Sequence, residues 1–146
     1  ENWRGVRGGF ETDLMADILP FVSANYSVAT DVDNTAIVGL SMGGGQALGV
    51  GLTRLDTFGW IGGYSSAVPD EDLEETFADV LSRPGKPRLL WVGCGTDDFL
   101  YERNTAFLAW LSENDVPHTA HITDGGHTWS VWRDYLEEFL PLLFRD

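Results

Sequence analysis

Ser41 stands between two glycines, in Gly39-Leu40-Ser41-Met42-Gly43, with apolar residues on both sides of the motif. Residues 35–40 read as a short buried strand, and residues 43–52 as a helix packed closely on a sheet. The serine therefore falls on a sharp strand-to-helix turn. Such a turn strains the serine backbone and needs small neighbours at −2 and +2 for strand and helix to approach, which Gly39 and Gly43 supply. A serine hydroxyl is a poor nucleophile at neutral pH. To do chemistry it needs a general base within hydrogen-bond reach, itself oriented by a carboxylate.

Both partners occur in suitable settings. Residues 87–94 form an apolar run of strand character that ends in Gly95-Thr96-Asp97-Asp98. A carboxylate on a loop at a strand's C-terminal end sits where open α/β sheets bind ligands. A second run, residues 118–123, ends in Asp124-Gly125-Gly126-His127 and is followed by a helical pattern. Ser41, the aspartates and His127 thus share one edge of a parallel sheet and can converge despite their separation in sequence. Neighbouring Asp97 and Asp98 cannot both point at His127, and these residues alone leave the choice open. The other aspartate caps the following helix or bonds the loop backbone. His118 and His121, three apart in a strand pattern, are expected on opposite faces, as a surface or core residue each. One cysteine and three histidines give no ligand spacing for a metal, and neither a metal nor an organic cofactor is expected. Cys94, at a strand end, reads as a small buried residue.

Taken together, Gly39-Leu40-Ser41-Met42-Gly43-Gly44, Cys94-Gly95-Thr96-Asp97-Asp98 and Gly125-Gly126-His127-Thr128-Trp129-Ser130-Val131-Trp132 resemble the α/β-hydrolase esterases that include feruloyl esterases, acetyl xylan esterases and enterochelin-esterase-like enzymes. The match runs through nearly the whole chain in order, and the third motif is the most specific. The resemblance implies Ser41 as nucleophile, His127 as general base and acid, Asp98 as the orienting carboxylate, and the Met42 N–H as an oxyanion donor. It also implies that the chain corresponds to the C-terminal half of such an enzyme. Only some forty residues precede Ser41, without the early loop that supplies the second oxyanion donor and part of the acyl pocket. Losing one oxyanion donor costs about 10²–10³ in rate, so residues 1–146 alone are expected to be a weak catalyst or none. Acyl transfer, or peptide or thioester cleavage, on the same constellation and a catalytically silent fragment or interaction module are the alternatives.

The elements that position these residues alternate. Residues 10–25 read as one amphipathic helix with Phe10, Leu14, Ile18, Phe21 and Val22 on a face. A strand at 58–64 precedes an acidic helix at 70–81 that buries Leu73, Phe77, Val80 and Leu81. A helix at 101–114 buries Phe107, Leu108 and Leu111. The last, at 128–144, carries Trp129, Trp132, Leu136, Phe139, Leu140 and Leu143 at helical spacing. Trp132 reads either as core packing of that helix or as an aromatic, substrate-binding wall for an aryl acyl group or sugar. Four strands alternating with helices predict an α/β fold: an α/β-hydrolase-like parallel sheet with helices on both faces, lacking N-terminal strands, in a single domain spanning 1–146. Residues 83–87 are a plain connector.

With the family's strand order, the Ser41 strand becomes an exposed edge. The chain is then expected to pair there, with a second copy of itself as a homodimer or with a separate N-terminal chain. The net charge of −14 disfavours nucleic acid and anionic membrane as partners. The expected ligand is a small-molecule or carbohydrate-linked ester. No leader or transmembrane run is read in the sequence, which is consistent with a soluble chain, secreted or cytoplasmic.

Overall fold

The computed structural model describes residues 3–69, 73–82 and 85–145. Four strands, β1 (Ala36–Leu40), β2 (Trp60–Tyr64), β3 (Leu89–Gly95) and β4 (Thr119–Thr123), form one sheet in the order β1-β2-β3-β4, parallel throughout. Helices α3 (Ser41–Thr53), α4 (Leu73–Ser82) and α5 (Tyr101–Glu113) fill the crossovers, and α6 (Trp129–Phe139) follows β4. The near-continuous apolar runs of β2 and β3 fit strands covered on both faces.

Two cores lie on the two sides of the sheet. Ile37, Ile61, Leu90 and Val92 pack with Leu48 and Leu52 of α3, Phe77 of α4, and Phe107 and Leu111 of α5. On the opposite face Tyr64 and Trp91 pack with Trp132, Tyr135 and Phe139 of α6. Burying each such side chain contributes about 1.5–3 kcal/mol. The rings of Tyr64, Trp91 and Tyr135 meet edge to face, with centroids 5.3–5.8 Å apart, the geometry favoured by their quadrupoles. Helices therefore cover both faces, as expected.

Three expectations need correction. The N-terminal helix is longer than 10–25 and is not a single α-helix. It runs as α1 (Trp3–Thr12), a π-helical turn (Asp13–Ile18) and α2 (Leu19–Asn25). Pro20 has no N–H for the α ladder, and the bond ahead of it shifts by one residue, from Leu19 N–H to Leu14 O. That extra residue rotates the apolar face. Phe10, Leu14, Met15 and Leu19 pack on the core, while Ile18 and Phe21 are exposed.

The last helix is shorter than 128–144. After Phe139 it tightens into a 3₁₀ turn over Leu140–Leu142 at Pro141. Its buried face is Trp132, Tyr135 and Phe139, whereas Trp129, Leu136 and Leu140 are exposed. The third correction concerns His118, which lies just ahead of β4 rather than within it. Its Nδ1–H donates to the Val116 carbonyl at 2.8 Å. His121, inside β4, stacks on Trp91 at 5.0 Å.

In α4, Leu73, Phe77 and Val80 take the expected core positions, although Phe77 has non-helical backbone angles. The Leu81 side chain, Asp70 at the expected helix start, and Arg83 and Pro84 of the connector lie outside the described residues. β1 ends the sheet and pairs only with β2 among the described residues.

Candidate active site

Ser41 is the first residue of α3, and its backbone sits at φ 54, in the left-handed region that a β-carbon disfavours. Gly39 makes the turn sterically possible. A β-carbon there would lie 2.2 Å from the Gly43 carbonyl oxygen. Gly43 itself has open space where its β-carbon would be, so the expected need for a small residue holds at −2 and not at +2. The reason is directional: residue 39 points into the first turn of the helix, and residue 43 points away from the strand. The turn is further held by Ala67, whose N–H donates to the Ser41 carbonyl at 2.8 Å.

Asp98 follows β3 in a tight turn, and His127 follows β4. Their loops are drawn together at Gly95, where a β-carbon would come within 2.0 Å of the Gly125 carbonyl oxygen. Gly125 has a positive φ, and its carbonyl accepts the Asp97 N–H at 2.9 Å. Asp97 thus uses its backbone to close the loop and leaves its side chain exposed, while Asp98 turns inward and is 5% exposed. Asp98, the aspartate that the resemblance implies, is the one whose carboxylate reaches His127.

The three side chains form a hydrogen-bond chain. His127 Nδ1 lies 2.9 and 3.1 Å from the two Asp98 carboxylate oxygens, and His127 Nε2 lies 2.9 Å from Ser41 Oγ. An ionised carboxylate only accepts, so the proton sits on Nδ1 and Nε2 is free to accept from the serine hydroxyl. Asp98 Oδ1 also accepts the Leu100 N–H at 2.8 Å, which fixes the carboxylate before it meets the imidazole. The ring is flanked by Phe99, tilted at 4.5 Å, and by Trp132, edge-on at 4.8 Å. Nearby Cys94 is fully buried. Burial first, then the Asp98 charge, pushes its thiol up to about 12, so it stays protonated and does not compete as a nucleophile.

Met42 follows the serine in the first turn of α3, where backbone N–H groups have no intrahelical acceptor. Its side chain is 61% exposed. Trp132 is only 8% exposed, and its indole N–H donates to Ser65 Oγ at 3.0 Å. Of its two readings, the packing one describes most of the side chain, which belongs to the α6 core and meets the imidazole at right angles. The aromatics open to solvent at the site are Phe99, at 75%, and Trp129, at 69%, neither of which the sequence singled out as a wall. An aromatic directly after the acid, and another two residues after the histidine, were the available signals. An apolar cavity of about 230 Å³ opens beside the serine turn, lined by Val38, Leu40, Tyr64, Trp129, Trp132 and Leu136. A larger one, about 730 Å³, lies at the other end of the strands near Asp33, Trp60, Arg88 and Phe144, away from the triad.

The family model described as "Putative esterase" matches residues 4–143, nearly the full chain. The chain belongs to this esterase family. Two curated relatives of this family member are esterases by name. One is an acetyl esterase of Caldicellulosiruptor saccharolyticus, 23% identical over 82% of this chain and 58% of the relative. The other is an endo-1,4-beta-xylanase/feruloyl esterase of Xylanibacter ruminicola, 27% identical over 93% of this chain and 18% of the relative. Among solved structures, the CE1 ferulic acid esterase of Anaeromyces mucronatus superposes with a TM-score of 0.83 at 27% identity, over 92% of this chain and 53% of that one. The fold is that of the α/β-hydrolases. This chain spans little more than half the length of the acetyl esterase and of the ferulic acid esterase.

Among the described residues, no group of three or more His, Cys, Asp or Glu side chains could hold a metal, and no helix is long and apolar enough to cross a membrane.

Proposed function

We propose that the chain carries the nucleophile, base and acid of a serine carboxylesterase that cleaves feruloyl, acetyl or similar esters by an acyl-enzyme route. The observation that carries this reading is the unbroken chain of hydrogen bonds from Asp98 through His127 to Ser41 Oγ. His127 Nε2 takes the hydroxyl proton as Oγ bonds the ester carbonyl carbon, and the carbonyl oxygen becomes an oxyanion. The imidazolium then gives that proton to the leaving alkoxide, the C–O bond breaks, and an acyl-serine remains. Water, deprotonated by His127, returns the serine and releases the acid. Asp98 keeps its negative charge throughout and stabilises the imidazolium. The Met42 N–H, at the N-terminus of α3, serves as one oxyanion donor, and the helix end favours the developing charge.

The outer edge of β1, which has no strand beside it among the described residues, and the single oxyanion donor assigned here favour weak catalysis by this chain alone. Val38 of β1 and Leu136 of α6 are both solvent-exposed and line the same apolar cavity. This surface is proposed to pair with a separate N-terminal chain or with a second copy. Size-exclusion chromatography with light scattering tests that reading, and a stable monodisperse monomer would count against it.

The functional test is a serine-reactive fluorophosphonate, followed by a panel of p-nitrophenyl, feruloyl and acylated-thiol substrates. Labelling at Ser41, abolished in Ser41→Ala, is expected. Labelling that persists in Ser41→Ala, or none in the wild-type chain, would refute an activated Ser41.

A further inference from the structure

Asn104, on the inner face of α5, is fully buried, and the reaction outlined above does not use it. A buried amide is costly unless its donors and acceptor find partners. Among the described residues, the hydrogen-bond partners of its side chain lie on loops that carry, or touch, a member of the triad. Its Oδ1 accepts the Ser66 N–H at 3.1 Å, and its Nδ2 donates to the Ser66 carbonyl at 2.9 Å. The same Nδ2 donates to the Leu100 carbonyl at 2.9 Å.

Those two anchor residues lead to opposite ends of the triad. The next residue after Ser66 is Ala67, whose N–H holds the Ser41 carbonyl at 2.8 Å. Leu100, on the other side, gives its N–H to Asp98 Oδ1 at 2.8 Å. One carboxamide therefore fixes the spacing between the turn that presents the nucleophile and the turn that presents the acid. Among the described residues the buried Ser66 hydroxyl has no hydrogen-bond partner and adds no competing tether. His127 bridges the same two turns through side chains. Its two hydrogen bonds, both near 2.9 Å, are met only if the turns keep their separation.

We infer that Asn104 is a positioning residue of the esterase site, a clamp that sets the distance between Ser41 and Asp98 so that His127 can bond both. The inference rests on the triad reading above and deepens it. A misplacement of about 1 Å at such a site costs roughly 10²-fold in rate.

The test uses the full chain with two readouts. One is the rate of fluorophosphonate labelling, in which Ser41 Oγ bonds phosphorus and fluoride leaves. The other is the downfield Nδ1–H resonance of His127 in proton NMR, which reports its bond to Asp98 whether or not the serine reacts. In Asn104→Ala, labelling is expected to slow roughly 10–100-fold and the resonance to broaden into exchange, with the far-ultraviolet circular dichroism unchanged. Thr105→Ala, one position along the same helix, is expected to leave both readouts at wild-type values. Asn104→Asp, equal in size and lacking both donors, should follow Asn104→Ala and replaces it if the alanine variant does not fold. Wild-type labelling and an intact resonance in a folded Asn104 variant would overturn the clamp, and so would failure of both variants to fold, which assigns Asn104 to stability alone. A wild-type chain that shows the resonance but is not labelled would sink the esterase reading, and the resonance in the variants would still decide the clamp.

Discussion

Asp98 and Met42 flank the same serine and histidine, yet their surroundings are opposite. Asp98 is almost wholly buried, with its carboxylate fixed by the Leu100 N–H and the His127 ring. Met42 lies on an open surface, and the apolar cavity at the serine turn is walled in part by Val38 and Leu40 of the edge strand β1. The acid–base side is built by the loops that follow β3 and β4, and its carboxylate and imidazole find hydrogen-bond partners among the described residues. The acyl side has one helix end and a set of exposed apolar residues. A proton relay is assembled here more completely than a pocket for the group it would attack.

That contrast can be broken or sharpened by paired substitutions. The largest effect is expected at the buried side. Asp98→Asn keeps the shape but favours the wrong imidazole tautomer, and should slow Ser41 labelling by about 10³–10⁴-fold. Met42→Ala changes only a side chain, leaves the backbone N–H in place, and should stay within roughly threefold. Equal losses in the two variants would erase the distinction.

Next come the two glycines of the serine turn. Gly39→Ala drives a β-carbon into the Gly43 carbonyl and should destabilise the chain by about 3 kcal/mol, on the scale of severe overpacking. Gly43→Ala meets open space inside α3 and should stabilise it by up to about 1 kcal/mol. Urea denaturation monitored by circular dichroism measures both, and a tolerated Gly39→Ala would mean the turn is looser than its geometry.

The smallest effects are expected at the aromatics. Trp132→Phe removes the indole N–H from the Ser65 hydroxyl and should cost about 1–2 kcal/mol in the same assay. Phe99→Ala, on the surface, should stay within about 0.5 kcal/mol while altering the preference between aryl and acetyl esters. A Trp132 variant that loses aryl preference at full stability would restore the wall reading of that residue.

Much of this was legible in the sequence because it is local. Gly39 and Ser41 announce the strand-to-helix turn, and the apolar runs before Asp98 and His127 announce strands that end at one edge. Packing was less legible. Helical spacing placed Ile18 and Phe21 on the buried face, but Pro20 displaced the ladder by one residue and turned them outward. The same spacing could not say which stripe of α6 faces the sheet, because Trp129, Trp132, Leu136 and Phe139 are all large and apolar.

By itself, then, the sequence determined the kinds of groups and the order in which the strands deliver them. Periodicity and turn chemistry act over a few residues and need no knowledge of the rest of the chain. Only the tertiary structure decided that the side chains of Asp98, His127 and Ser41 meet, and that Asn104 ties two distant turns together. Each of those depends on contacts between segments far apart in the chain, 86 residues in the case of Ser41 and His127 and 38 in the case of Ser66 and Asn104. Such contacts are set by how the loops of neighbouring strands pack at one edge of the sheet.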